Sequence, residues 1–265
     1  MKVAITGSNG FIGKNLINEL KENNIKFNKI LHNNTKKQIK EKLIKSDILI
    51  HLAGVNRPKN IKSFDKGNYR FTKQLSEIIL SNKLKIPVIF SSSSQASKNN
   101  HYGLSKKKSE QSLKDLNIKN KNTIYIYRLS NIFGKWSMPN YNSVVATFCN
   151  NIIRNKKIKI DNDQTVINLT HISKVTKSFL KVIKKKKHLN KVEYIKINIQ
   201  KKIKLKKLSE KLICFNTNAN KLLLNKLTTQ FDKDLYATFL SYYPKEKFVT
   251  KLFPKIDKRG NFVEI

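Results

Sequence analysis

The 265-residue sequence predicts an α/β fold, a doubly wound parallel sheet followed by a small C-terminal substrate-binding lobe. Three observations carry this. In the first half, short apolar runs alternate with longer amphipathic ones about five times, as strands and their crossover helices do. Three glycines punctuate the first crossover, after the first apolar run. In the second half the alternation becomes irregular, which fits a smaller lobe.

Taken in order, KVAIT (2–6) reads as a buried strand. FIGKNLINELKEN (11–23) reads as a helix with Ile12, Leu16, Ile17 and Leu20 on one face. KIL (29–31) is a short second strand, KKQIKEKLIK (36–45) a helix, and DILIHLAG (47–54) a strongly apolar strand. FTKQLSEIILSN (71–82) is a helix with Leu75, Ile78 and Ile79 inward. IPVIFSSS (86–93) and NTIYIYRLSN (122–131) are strands, with the helix HYGLSKKKSEQSLKDL (101–116) between them. Further on, NSVVATFCNNIIRN (142–155), LSEKLICF and KDLYATFLSYYP suggest helices, and KIKI and TVINLT short strands. Between Val182 and Asn198 the density of lysine hides any period. The domain expectation is one unit over 1–250, with a dinucleotide core over about 1–165 and a lobe drawn from 135–160 and 166–250.

The formal charge of +38 points toward nucleic acid, but the kind of base argues against it. Only five of 55 basic residues are arginine, the side chain that grips phosphate and guanine bidentately. An excess of Lys, Asn and Ile is what A+T-rich codon usage produces. KVIKKKKH (181–188) and QKKIKLKK (200–207) are then solvated faces. Cys149 and Cys214 match no metal spacing, no signal peptide precedes MKVAIT, and no apolar run reaches the roughly 18 to 20 residues of a membrane span. The expectation is a reduced, cytoplasmic chain with no metal, no nucleic-acid partner and no membrane.

ITGSNGFIG (5–13) sets Gly7, Gly10 and Gly13 between the first strand and the first helix. The first permits a tight turn, the second admits a pyrophosphate, and the third lets the helix approach the sheet. A Rossmann-like dinucleotide site follows, with Asn9, Phe11 and Ile12 in the turn and Leu52, Ala53 and Gly54 after the apolar strand. At the end of the second strand HNNTKK (32–37) has no carboxylate for a ribose 2′-hydroxyl. His32, Asn33, Lys36 and Lys37 favour NADPH over NADH.

The glycine turn, DILIHLAG, Asn68 before a helix, FSSS (90–93), YGLSK (102–106) and RLSNIFG (128–134) occur in a telling order and spacing. Over nearly its whole length the chain resembles the extended short-chain dehydrogenase/reductase family of nucleotide-sugar epimerases, dehydratases and reductases. More narrowly, HLAGVNRP (51–58), SSSSQAS (91–97), IFGKWSMPNYNSVVATFC (132–149) and FDKDLYATFLSYYP (231–244) resemble one of its branches. That branch is the reductase half of a capsular-polysaccharide enzyme acting on a UDP-2-acetamido-2,6-dideoxy-4-hexulose. Its members continue into a cupin domain that epimerises the sugar at C3. DKRGNFVEI (257–265) resembles the first strand of that cupin, so 251–265 is expected to be a stub without the second active site. The resemblance implies a UDP-sugar substrate, and it admits a homodimer and a separately encoded cupin epimerase as partners. INLTHISKV (167–175) departs from the pattern, with Ser173 and Lys174 where many relatives are acidic.

Tyr102 and Lys106 lie four apart, on one helix face. An ammonium beside a phenol is expected to lower its pKa from about 10 and make it a general acid/base. By family position Ser93 is the serine that polarises the carbonyl, and Lys106 also holds the ribose. Dehydratases of the family place an Asp-Glu pair after the catalytic Ser/Thr; here stand Ser94 and Gln95, which disfavours dehydration. The expected activity is C4 reduction. The alternatives are a redox-neutral epimerase with tightly bound NAD and, in another class, a non-catalytic basic protein that binds RNA. Asn56, Arg57, Asn131, Asn140, Asn142 and Ser143 are expected substrate contacts, set against the simpler reading of loop residues capping their own backbone. Trp136 either packs under the substrate or anchors its loop, and His171 and His188 read as core or surface residues rather than ligands.

Overall fold

The computed structural model describes residues 1–58, 60–249 and 253–263. Its centre is a six-stranded, all-parallel sheet built from β1 (Lys2–Thr6), β2 (Lys26–Ile30), β3 (Ile48–His51), β4 (Val88–Ser93), β5 (Ile124–Leu129) and β8 (Val192–Tyr194). The order is β2-β1-β3-β4-β5-β8, so the winding reverses between β1 and β3 and opens a crevice at their carboxyl ends. The inner strands β1 and β3 read as near-continuous apolar runs because both faces are covered, while the edge strand β2 keeps Lys26 and Lys29 exposed. Val3, Ile5, Ile50, Tyr125 and Tyr127 pack on one face against Leu16 and Leu20 of α1 (Phe11–Glu22) and Val175 and Phe179 of α7 (Ile172–Ile183). Ala4, Leu49, Phe90 and Ile126 meet the opposite layer, α2 (Lys36–Ile44), α4 (Phe71–Ser81) and α5 (His101–Asn120).

A short α3 (Lys62–Phe64) runs through a π-helical turn, Asp65–Arg70, straight into α4. The lobe holds a three-stranded sheet in the order β6 (Ile132–Phe133), β7 (Val166–His171), β9 (Lys201–Lys204). It is covered by α6 (Val144–Ile153), α8 (Leu205–Asn220) and α9 (Gln230–Leu240) around Phe133, Phe148, Leu212, Leu235 and Phe239.

Several expectations need correction. KIKI is not a strand, although Ile158 and Ile160 still face the lobe core. Both edges of β7 are already taken, by β6 and β9, and no ladder is left for it. KIL covers only the last two residues of a five-residue strand, Lys26–Ile30, and Leu31 lies beyond it. Helix α7, which follows directly on TVINLT, was not foreseen, and lysine hid β8. Both belong to the central sheet layer, so the core does not stop near residue 165 but returns through α7 and β8. Of the expected stub over 251–265, residues 251, 252, 264 and 265 lie outside the described residues. Within it β10 (Lys255–Asp257) and β11 (Gly260–Phe262) form an exposed antiparallel hairpin. Among the described residues no helix is long and apolar enough to cross a membrane.

Candidate active site

The glycine turn closes on itself, Gly10 N donating to Gly7 O at 3.0 Å. Gly7 has φ +68°, and a Cβ there would lie 2.6 Å from Ala53 N, while one on Gly13 would lie 2.2 Å from Gly7 O. Gly10 caps α1 without any side-chain bond, so the amides of the first turn face the crevice. Ser8, 2 % exposed, has a hydroxyl with no partner, one of two such buried side-chain groups among the described residues. A side-chain-free Gly10, where a Cβ would lie 3.3 Å from Gly7 O, the free amides and an orphaned buried hydroxyl together fit the phosphates of a dinucleotide.

The floor of this crevice is fixed by a proton network whose tautomer can be worked out. Thr72 Oγ1 gives its one proton to Asn68 O (2.7 Å), so it accepts from His51 Nε2 (2.9 Å). His51 Nδ1 is then bare and accepts from Thr6 Oγ1 (2.7 Å), whose lone pairs take the amides of Leu52 and Ala53. Burial, with Lys106 nearby, pushes His51 down to about 3, which matches a neutral ring. Asn68 also accepts from Val55 N (2.8 Å) and donates to Val55 O and to Ser105 Oγ of α5.

Ser93 ends β4 and Tyr102 lies in the first turn of α5. Ser93 Oγ accepts from Gln95 N (3.1 Å), which leaves its own proton free to donate. Asn100 caps α5 by accepting from Gly103 N (2.8 Å) and donates to Gln95 Oε1 (3.1 Å). Asn100→Ala is expected to cost about 1 kcal/mol, read as a lower urea midpoint. Lys106 is 4 % exposed, donates to Ser91 O at 2.9 Å and sits 4.9 Å from the centre of the Phe90 ring.

The electrostatics differ from the expectation. Burial raises the Tyr102 pKa; the Ser93 hydroxyl opposes this and Tyr141 adds to it. Lys106 is not among the causes, so the predicted lowering by Lys106 is not found. Its ammonium is turned to the Ser91 carbonyl and is itself pushed down to about 8 by burial, against the pull of Glu110.

A model of the NAD dependent epimerase/dehydratase family matches residues 3–199. The chain belongs to that family. Within it, the chain is 39% identical to the UDP-2-acetamido-2,6-beta-L-arabino-hexul-4-ose reductase of Pseudomonas aeruginosa, over 100% of this chain and 71% of that protein. It is similar to the crystal structure of the capsular polysaccharide assembling protein CapF from Staphylococcus aureus, at TM-score 0.83 and 36% identity over 99% of this chain and 71% of that one. The UDP-glucuronic acid 4-epimerase of Bacillus cereus, solved with NAD, shares the fold at TM-score 0.76 and 16% identity, over 94% of this chain and 100% of that one.

Among the residues expected to meet substrate, Arg57 approaches the 138–143 loop, its amide donating to Tyr141 OH at 3.3 Å. Asn131, Asn140 and Asn142 are exposed, the first two at positive φ. Ser143 Oγ is engaged in capping α6, where it accepts from Ala146 N. His171 lies 3.7 Å from Asp234 and bonds Ser173, and His188 bonds Tyr125 OH. Trp136 stacks with Lys135 at positive φ. The sequence reading passed over His51, Asn100, Gly103 and Glu110. The last of these has a signal in hindsight: 102, 106 and 110 recur at four-residue spacing on one face of α5.

Proposed function

We propose that this chain reduces the C4 keto group of a UDP-2-acetamido-2,6-dideoxy-4-hexulose with NADPH, in the supply of precursors for surface polysaccharide. The cofactor is a nicotinamide dinucleotide. The observation that carries the reading is Ser93, Tyr102 and Lys106 converging at the crevice beside the glycine turn, in a chain 39% identical to a hexulose 4-reductase. When bound, the cofactor supplies the hydride. Gly7, Gly10, Gly13 and the amides of Phe11 and Ile12 would hold its phosphates, and Lys106 its ribose. Ser93 Oγ donates to the carbonyl oxygen. Tyr102 gives that oxygen its phenolic proton as the carbon is reduced, and a raised pKa keeps that proton in place at neutral pH. Ser94 and Gln95 offer no carboxyl for elimination. The absence of a carboxylate in HNNTKK (32–37) supports NADPH over NADH.

Incubation with the keto-sugar is expected to consume one NADPH per sugar reduced, with a higher kcat/KM for NADPH than for NADH. Interconversion of C4 epimers without NADPH consumption would instead establish the redox-neutral alternative.

A further inference from the structure

Glu110 lies one helical turn beyond Lys106 and two beyond Tyr102, with 2 % of its surface exposed. A carboxylate buried so deeply is costly unless its lone pairs are occupied. Here four bonds from three other elements occupy them. Ser92 Oγ (2.5 Å) and Arg128 Nε (2.9 Å) donate to Oε1; Arg128 Nη2 (2.7 Å) and Tyr194 OH (2.9 Å) donate to Oε2. Burial raises the pKa of Glu110, but the bonds from Arg128, Ser92 and Tyr194 outweigh it and hold the group below the usual carboxylate range. It is therefore charged.

The placement of these donors matters. Ser92 stands between Ser91, whose carbonyl accepts from Lys106, and Ser93. Arg128 lies on β5 and Tyr194 on β8, with the guanidinium 5.0 Å from the tyrosine ring centre. The one carboxylate thus ties the helix carrying Tyr102 and Lys106 to the strand tip carrying Ser93, and braces both against the far edge of the sheet.

We infer that Glu110 is a positioning residue for the reduction, setting α5 against the tip of β4 and supplying the negative charge one helical turn from Lys106. The inference deepens the proposed function and rests on it. On its own helix Lys106 stands between Tyr102, four residues before it, and Glu110, four residues after it. From β3 it meets neutral His51, and from β4 the Phe90 ring and the Ser91 carbonyl. Arg128 and Tyr194 bear on it through Glu110. Removing the carboxylate leaves the charge of Arg128 uncompensated, so Lys106 should lose its proton at lower pH.

The test uses the full chain with Glu110→Gln and Glu110→Asp, assayed with NADPH and the keto-sugar across pH. A parallel 13C NMR titration follows the Lys106 Cε, assigned with Lys106→Met. For Glu110→Gln the expected result is a kcat about 10²-fold lower, with KM within about threefold. The alkaline limb of kcat/KM and the Lys106 titration should both move about one pH unit down. Glu110→Asp keeps the charge but retracts the carboxylate, so kcat should fall about tenfold with the limb unmoved. An unchanged kcat in Glu110→Gln, or a loss with an unmoved limb, overturns the inference. If Glu110→Gln does not fold, Glu110→Asp decides, and full activity there overturns it. Should the wild type not reduce the keto-sugar, the proposed function fails. The NMR titration then judges Glu110 separately, and a Lys106 titration unmoved by Glu110→Gln overturns its role.

Discussion

Replacing Tyr102 by phenylalanine is expected to lower kcat about 10³-fold, the scale of a lost general acid, while cofactor affinity stays within about threefold. The substitution removes one oxygen and keeps the ring, whose neighbour Phe64 lies 5.8 Å away between centroids, so packing is preserved. Burial keeps the phenol protonated, and the acid is loaded before substrate arrives. The pH dependence has a definite sign. On the proposed mechanism activity requires a protonated Tyr102 and a charged Lys106, and the lower of the two is Lys106, at about 8. Thus kcat/KM should be level near neutrality and decline as pH rises through about 8. Steady-state rates of the two proteins across pH decide it. Turnover retained in Tyr102→Phe, or a decline only on acidification, would refute the assignment.

The second large effect is expected from Gly103→Ala. A Cβ at this position would lie 2.1 Å from the Gln95 carbonyl oxygen and 2.7 Å from that of Lys98, both backbone atoms. Neither can be moved without displacing the 94–100 bridge that runs from Ser93 to the cap of α5. The added methyl therefore either lifts the first turn of α5, and Tyr102 with it, or pulls Gln95 N from Ser93 Oγ. Overpacking of this kind costs about 1–3 kcal/mol, and a misplacement of about 1 Å at a reacting group costs about 10²-fold in rate. The variant should fold with a lowered Tm, bind NADPH, and lose about 10²-fold in kcat. Wild-type kcat would show that the bridge yields without consequence.

The α/β alternation was legible because parallel strands buried on both faces leave unbroken apolar runs, as in KVAIT and DILIH. The glycine turn was legible because only glycine fits the contacts at Gly7 and Gly13. Helix α5 was found through YGLSK rather than through hydropathy, and for a physical reason. Its buried face consists of Gly103, Ser105, Lys106, Ser109 and Glu110 before Leu113 and Leu116, so no apolar stripe marks it. Helix α7 has a strong stripe in Ile172, Val175, Phe179 and Leu180, but lysines between and after those residues masked it. KIKI shows the converse: an alternating pattern becomes a strand only where a neighbour has an edge to offer. The phenol's raised pKa was not readable at all, since it depends on burial and on Tyr141, which lies far along the chain.

The π-helical turn at Asp65–Arg70 gives the 62–81 helix two angular frames. A residue of an α-helix advances by about 100°, so deleting one residue between Asn68 and Phe71 would restore a regular α-helical ladder and rotate Asn68 by about that angle. Its amide would leave Val55 and Ser105, and its carbonyl would leave Thr72, the last acceptor in the His51 network. Local regularity and a correctly facing Asn68 are mutually exclusive here, so length variation in this helix should be tolerated upstream of the turn and not inside it.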